Sequence, residues 1–96
     1  MTETILKPQD ERMCALVIEI AKALVDEDED VRVDVLVEPE TTTLQLHVAE
    51  GDVAKLIGRH GHTARSLRTI ISAASMKLKR RYALDIAGAK PWHEAQ

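Results

Sequence analysis

Aromatic residues are almost absent from this sequence, which contains no Phe, one Trp and one Tyr among 96 residues. Apolar residues nevertheless make up 45% of the chain, so any hydrophobic core has to be built from aliphatic side chains. The shortage of rings also argues against nucleic-acid modules that stack several bases on exposed aromatic side chains, such as the RRM.

Cysteine and long apolar runs are scarce as well. Cys14 is the single cysteine, which excludes an internal disulfide framework and a cysteine-based zinc site. No apolar run approaches the roughly 18 residues that a membrane-spanning helix needs. Residues 1–9 lack the basic and apolar pattern of a signal peptide. Together these features predict a cytoplasmic protein that does not act at a membrane.

The sequence also lacks an arrangement typical of catalysis. It offers no nucleophile beside a base and no carboxylate pair flanked by catalytic groups. His60 and His62 are two positions apart with no third ligand nearby, which makes a poor metal site. We therefore expect no enzyme activity, no bound metal and no cofactor.

Charge is abundant, and it is segregated along the chain. The formal net charge is only -3, but residues 1–50 carry 4 Lys/Arg against 13 Asp/Glu, a balance of -9. Residues 51–81 carry 8 Lys/Arg and a single acid, Asp52, a balance of +7. A basic segment of this kind is either an electrostatic footprint for nucleic acid or a solvated face.

Hydrophobic periodicity predicts six elements in the order α-β-β-α-α-β. They are a helix over 9–25, strands over 31–38 and 42–49, helices over 53–57 and 62–80, and a strand over 82–87. The first two strands are close enough for an antiparallel hairpin. We expect an α+β fold, a three-stranded sheet covered on one face by three helices. The domain is expected to span residues 9–87, between flexible ends at 1–8 and 88–96.

The same patterns predict which side chains face the core. In the first helix these are Met13, Leu16, Val17, Ile20 and Leu24, with Cys14 close by. In the last helix they are Ala64, Leu67, Ile70, Ile71, Ala74 and Leu78. In the strands they are Val31, Val33, Val35 and Val37, then Leu44, Leu46 and Val48, then Tyr82, Leu84 and Ile86. Asp52 is expected to cap the short helix, and Gly58 to end it in the left-handed conformation.

A Gly-x-x-Gly loop, Gly58-Arg59-His60-Gly61, separates the two later helices. Without a Cβ, each glycine lets the backbone come close to a ligand. The N–H groups near Gly61 and His62, at the start of the following helix, favour a phosphate there. This pattern beside basic side chains favours a clamp on the RNA backbone over a purely structural turn between two helices. The candidate RNA-binding residues are Lys55, Ile57, Gly58, Arg59, His60, Gly61, His62, Arg65 and Arg68.

Two further surfaces are open to more than one interpretation. The bases could lie in a groove bordered by Val53, Ile57 and Leu67, with Val35 or Val37 across it, although these side chains suit a core equally well. The basic residues 77–81 either cap the last helix or contact a second phosphate. A single site reads about four nucleotides, so binding should be weak and broad unless the protein is multivalent.

With these elements placed, the chain resembles a KH domain of the prokaryotic, type II order. The similarity runs over residues 18–86, with its core from Val48 to Ile86. Around the loop, Ile57-Gly58-Arg59-His60-Gly61-His62-Thr63-Ala64-Arg65-Ser66-Leu67-Arg68-Thr69 resembles the small bacterial single-KH proteins of the KhpA (YlqC-type) family. The resemblance implies binding to single-stranded RNA, as an RNA chaperone or post-transcriptional regulator. It also implies a homodimer, or a heterodimer with a second KH protein of the KhpB (Jag/EloR) type, with the contact near the loop and its helices.

The chain departs from that family pattern at two places. Arg59-His60 stands where the loop often carries Lys-Gln, which keeps one cation and adds an imidazole. Residues 26–30, the acidic segment, are five consecutive acids, heavier than expected for the family. Two alternatives to RNA regulation remain open: a KH fold used for protein interaction in cell-envelope or division control, or a ribosome-assembly factor.

Overall fold

A computed structural model describes residues 7–88 of the chain. The elements are helix α1 (Pro8–Leu24), strands β1 (Arg32–Val37) and β2 (Thr42–His47), helices α2 (Val53–Ile57) and α3 (His62–Leu78), and strand β3 (Tyr82–Ile86). Short 3-10 turns lie at Asp28–Asp30, Glu50–Asp52 and Arg59–Gly61. The predicted order of helices and strands is confirmed. The predicted flexible ends fall mostly outside the described residues, so the domain limits stay a prediction.

The three strands form one mixed sheet in the order β1-β2-β3. β1 and β2 are the predicted antiparallel hairpin, in which Arg32 lies opposite His47 and Val37 opposite Thr42. β3 runs parallel to β2, with Tyr82 beside Thr42. Parallel neighbours need a long crossover connection, and α2, the loop and α3 supply it here. The fold therefore places the Gly-x-x-Gly loop in the middle of that crossover.

The core lies between the helices and one face of the sheet, and it is aliphatic as the composition predicts. Met13, Leu44, Leu46, Leu56 and Ile71 are among its largest fully buried side chains. The predicted inward positions of β2 and β3 are confirmed at Leu44, Leu46, Tyr82, Leu84 and Ile86. Tyr82, the single Phe, Tyr or Trp residue within residues 7–88, is thus packed in an otherwise aliphatic core.

Tyr82 and Asp10 join the last strand to the first helix. The Tyr82 hydroxyl donates a hydrogen bond of 2.6 Å to Oδ1 of Asp10, and both residues are buried. Burial, followed by this bond to a carboxylate, raises the pKa of Tyr82 well above its usual value. The other carboxylate oxygen of Asp10 accepts the backbone N–H of Lys7 at 3.4 Å. Both carboxylate oxygens of the buried Asp10 therefore accept a hydrogen bond.

Three residues predicted to face the core are exposed instead. Leu24 is exposed because α1 ends there, and the next residue, Val25, is buried in its place. Ile70 is 45% exposed. It lies about 100° around the helix from Ile71, which takes the core position. Val37 is exposed as the last residue of the edge strand β1.

Within residues 7–88, no helix is both long and apolar enough to span a bilayer. In the same range, no group of three or more His, Cys, Asp or Glu side chains is placed to hold a metal ion.

Candidate nucleic-acid interface

The predicted tight turn at the Gly-x-x-Gly loop is built from three residues with positive φ. Gly58 has φ 76° and ψ 174°, His60 has φ 56° and ψ 24°, and Gly61 has φ 75° and ψ 13°. The expected left-handed conformation at Gly58 is wrong in ψ, because the residue adopts an extended conformation with positive φ that is essentially restricted to glycine. The chain thereby passes from α2 to α3 over the four residues Gly58–Gly61.

The backbone N–H groups expected to meet phosphate are already used within the loop. The N–H of Gly61 donates to the carbonyl of Gly58 at 3.1 Å, and the N–H of His62 donates to the carbonyl of Arg59. These bonds make the 3-10 turn that the sequence pattern did not predict. An anion at the loop would therefore depend on side chains and on the positive end of the 17-residue helix α3.

The absence of a side chain at Gly58 allows α2 and α3 to pack closely against each other. A Cβ at this position would lie 2.2 Å from Oγ1 of Thr63 and 2.9 Å from its backbone N. The close approach that glycine permits here is therefore between the end of α2 and the first turn of α3. Gly58 is required by the packing of the two helices, independently of any ligand.

Four of the predicted binding residues surround the loop with exposed side chains: Arg59, His60, His62 and Arg65. The imidazole rings of His60 and His62 have centroids 5.9 Å apart and are tilted by 55°. Among the described residues, none of these four side chains forms a hydrogen bond or ion pair. The loop and the first turn of α3 thus expose two guanidinium groups and two imidazoles to solvent, while Ile57 at the end of α2 is half-buried.

Lys55 is placed differently, because its ammonium group is held by two carboxylates. Nζ lies 3.1 Å from Oδ2 of Asp26 and 3.2 Å from Oδ1 of Asp52. Bonding to Asp26, then to Asp52, raises the pKa of Lys55 above its usual value. The structure therefore directs this predicted RNA contact toward the acidic segment.

Asp52 does not cap α2 as predicted. Its side chain makes no capping hydrogen bond, and its Oδ2 instead accepts the backbone N–H of Glu27 at 3.0 Å. That bond is the main cause that lowers the pKa of Asp52, with Lys55 adding to it. A bond between residues 25 positions apart replaces the local one, because the acidic segment passes directly beside the start of α2.

Arg68 lies against the sheet rather than beside the loop. Its Nε donates to the carbonyl oxygen of Leu84 in β3 at 3.3 Å, and the side chain is half-buried. This predicted site residue therefore connects α3 to β3.

The groove expected for the bases is only partly present. Leu67 is buried in the core, whereas Val53 and Ile57 are half-buried at the surface. A Cβ on Gly88, just after β3, would lie 3.7 Å from Cγ2 of Val53. Val53 at the start of α2 thus lies near the end of β3, and β1 lies at the opposite edge of the sheet.

At the basic residues 77–81, Arg80 fits neither interpretation, because its guanidinium bonds to the β1–β2 turn and not to the last carbonyls of α3. Its Nε donates to Oγ1 of Thr42 at 2.7 Å, Nη1 to the carbonyl of Pro39 at 3.1 Å, and Nη2 to the carbonyl of Glu38. Arg80 therefore fixes the β1–β2 turn to the end of α3. The neighbouring side chains of Lys77, Lys79 and Arg81 are exposed.

Sequence reasoning missed Asp26 and Asp52 as parts of this site. The spacing of Asp52 and Lys55, three residues apart on a helix, is a visible signal for an ion pair. Asp26 gives no such signal, because its contact with Lys55 exists only once the chain has folded.

Comparison with known proteins identifies the domain type. The model of the KhpA/KhpB KH domain family matches residues 15–86. A protein named RNA-binding protein KhpA from Halalkalibacterium halodurans is 45% identical over 74 residues, 77% of this chain and 97% of the relative. One of the same name from Treponema pallidum is 46% identical over 71 residues, covering 74% and 89%. Another from Borreliella burgdorferi is 42% identical over 67 residues, covering 70% and 82%. No solved structure matches the chain.

Proposed function

Because the chain belongs to the KhpA/KhpB family of KH domains, we propose that it is a cytoplasmic RNA-binding protein without enzyme activity, whose Gly58–Gly61 loop holds the backbone of single-stranded RNA. The observation that carries the proposal is the set of four exposed side chains around the loop, Arg59, His60, His62 and Arg65, which have no hydrogen bond or ion pair within residues 7–88. The relatives that bear the name RNA-binding protein KhpA support it.

The guanidinium groups of Arg59 and Arg65 provide the main attraction for phosphate. Each can donate two parallel hydrogen bonds to phosphate oxygens. The N-terminal end of α3, at His62, adds a favourable field for an anion. The imidazole N–H groups of His60 and His62 donate further hydrogen bonds to phosphate oxygens.

Affinity of this kind depends strongly on salt. Binding releases counterions, so the logarithm of the association constant falls with the logarithm of salt concentration, by about 0.7 per phosphate contacted on single strands. With about four nucleotides per site and few exposed rings to stack on bases, we expect micromolar or weaker binding by one domain.

The proposal is tested by neutralising the loop cations while leaving its glycines in place. We expect Arg59→Gln with Arg65→Gln to weaken binding to a pool of short single-stranded RNAs by about tenfold or more, and to lower the salt slope by about 1.4. Fluorescence anisotropy at two salt concentrations measures both quantities. Glycine substitutions are less informative, because Gly58 is required for packing against Thr63.

The matched control is Lys79→Gln with Arg81→Gln, which removes two exposed cations beyond the other end of α3. We expect the control to retain most of the affinity. If the control loses as much as the loop variant, the phosphate contacts lie at residues 77–81. If the wild type binds no RNA at low salt, the alternative of a protein-interaction module replaces this function.

At the next level of detail, we propose that the protein works as a dimer, in the role of an RNA chaperone or post-transcriptional regulator. Two loops on one particle raise the apparent affinity through effective concentration, without any new contact. Two apolar side chains of α3 support a protein partner: Ile70 is 45% and Met76 is 79% exposed. The partner is a second copy of the chain or a KH protein of the KhpB type.

A further inference from the structure

The ammonium group of Lys55 lies between two carboxylates that differ in exposure. Asp52 is buried, whereas the side chain of Asp26 is 74% exposed. Lys55 itself is three residues before Gly58, the first residue of the proposed RNA loop. One cation of the loop region is therefore neutralised by the chain itself, and one of the two groups that neutralise it is on the surface.

The position of Asp26 is set by a second contact. The N–H of Glu27, the next residue, donates to Oδ2 of the buried Asp52, whose other oxygen faces Lys55. Asp52 thereby holds both the ammonium group and the backbone that carries Asp26. Asp26, Asp52 and Lys55 form a connected set of charges. Asp26 can move away while the buried carboxylate of Asp52 keeps its contact with Lys55.

We propose that Asp26 sets the RNA affinity of this protein by competing with an RNA phosphate for the ammonium group of Lys55. The inference rests on the proposed function. An ammonium group has three donors, and a phosphate oxygen replaces the carboxylate of Asp26 while the contact with Asp52 persists. Because Asp26 is exposed, water solvates its carboxylate once it is displaced.

The competition lowers affinity by a predictable amount. An exposed ion pair of this type is weak, and its loss changes an equilibrium constant by about two- to fivefold. Asp26→Asn is therefore expected to tighten RNA binding by that factor at low salt. It is also expected to steepen the salt slope, because salt weakens the Lys55–Asp26 pair of the free wild type and thereby offsets part of its loss of RNA affinity.

Glu29→Gln is the matched control, because it removes one charge from the same segment at a side chain with no bond to Lys55 among the described residues. We expect it to change affinity by less than about 1.5-fold. Each substitution is also made together with Lys55→Gln. In that background the advantage of Asp26→Asn over Glu29→Gln is expected to vanish.

The outcomes separate this inference from the function on which it rests. If the wild type binds no RNA, the proposed function fails and this inference fails with it. If the wild type binds RNA, and Asp26→Asn and Glu29→Gln tighten binding equally, the effect is one of general charge and the inference alone is overturned. It is also overturned if the gain from Asp26→Asn persists without Lys55. A measurement without RNA serves as a second check: NMR titration of the Lys55 side chain should show a lower pKa in Asp26→Asn than in Glu29→Gln.

Discussion

The carboxylate of Asp52 joins three parts of the molecule at one point. It lies at the start of α2, accepts the N–H of Glu27 at 3.0 Å, and contacts Nζ of Lys55 at 3.2 Å. Both contacts favour the ionised form of a buried side chain. Its pKa is accordingly lower in the folded protein than in the unfolded chain. This single residue makes the stability of the α2 region depend on pH.

The sign of this dependence follows from the lowered pKa. The contribution of Asp52 is fully present above the pKa of the unfolded chain, about 4, and is lost as the pH falls through the lower pKa of the folded state. We expect the free energy of unfolding to fall with pH below about 4, and to fall less in Asp52→Asn. Urea denaturation at several pH values between about 2.5 and 6 measures it. Asp28→Asn, an exposed acid nearby, is the control; equal pH profiles for the two variants would contradict the prediction.

The four-residue connection Gly58–Gly61 links α2 directly to α3. Gly58 fits because its φ of 76° and ψ of 174° suit glycine, and because Thr63 occupies the space where a side chain would stand. The orientation of α3 relative to α2 therefore depends on one residue without a side chain. The contact between Gly58 and Thr63 therefore also sets the positions of the exposed side chains of the loop.

Gly58→Ala is expected to lower the free energy of unfolding by about 2 kcal/mol or more, because a Cβ meets Thr63 and the backbone conformation is strained. Urea or thermal denaturation measures the loss. At Gly51 a Cβ would meet nothing within 4 Å. Gly51→Ala should therefore stay within about 0.5 kcal/mol of the wild type. Equal stability of the two variants would show that the α2–α3 contact is looser than described.

The elements themselves could be predicted because each has one buried face. Alternation identifies β2 and β3, where every second side chain is buried, and helical spacing identifies α1 and α3. The same patterns place Leu24 and Ile70 in the core, where the structure exposes them. Periodicity predicts which side of a helix a residue lies on, but it does not predict whether another element packs against that side. For the site, the glycines and the exposed arginines could be predicted. The contact between Lys55 and Asp26 could not, since it joins residues 29 apart only after folding.

In the molecule as a whole, two of the exposed large apolar side chains, Ile70 and Met76, lie on α3. Leu36 is 59% exposed on the face of the sheet away from the helices. A dimer formed through α3 would place two loops near its interface. This arrangement matches the contact region that the family resemblance implies.

We expect Ile70→Asp to weaken self-association by about tenfold or more, because a charge replaces an apolar side chain that the proposed interface would bury. Sedimentation equilibrium measures the dissociation constant, and circular dichroism checks the fold. Leu36→Asp introduces the same charge on the other side of the molecule and should leave association unchanged. A wild type that stays monomeric at high concentration, or equal effects of the two variants, would refute an α3 interface.

The parallel pairing of β2 with β3 has a consequence for the chain while it is being synthesised. The β1–β2 hairpin is complete at His47, but the second edge of β2 is covered only when Ile86 has been added. During the interval the nascent protein presents an uncovered strand edge bearing Leu44 and Leu46, the kind of surface that pairs with other chains. The addition of the last strand, which follows the proposed RNA loop in the sequence, therefore ends the period in which a newly made chain exposes this edge to aggregation.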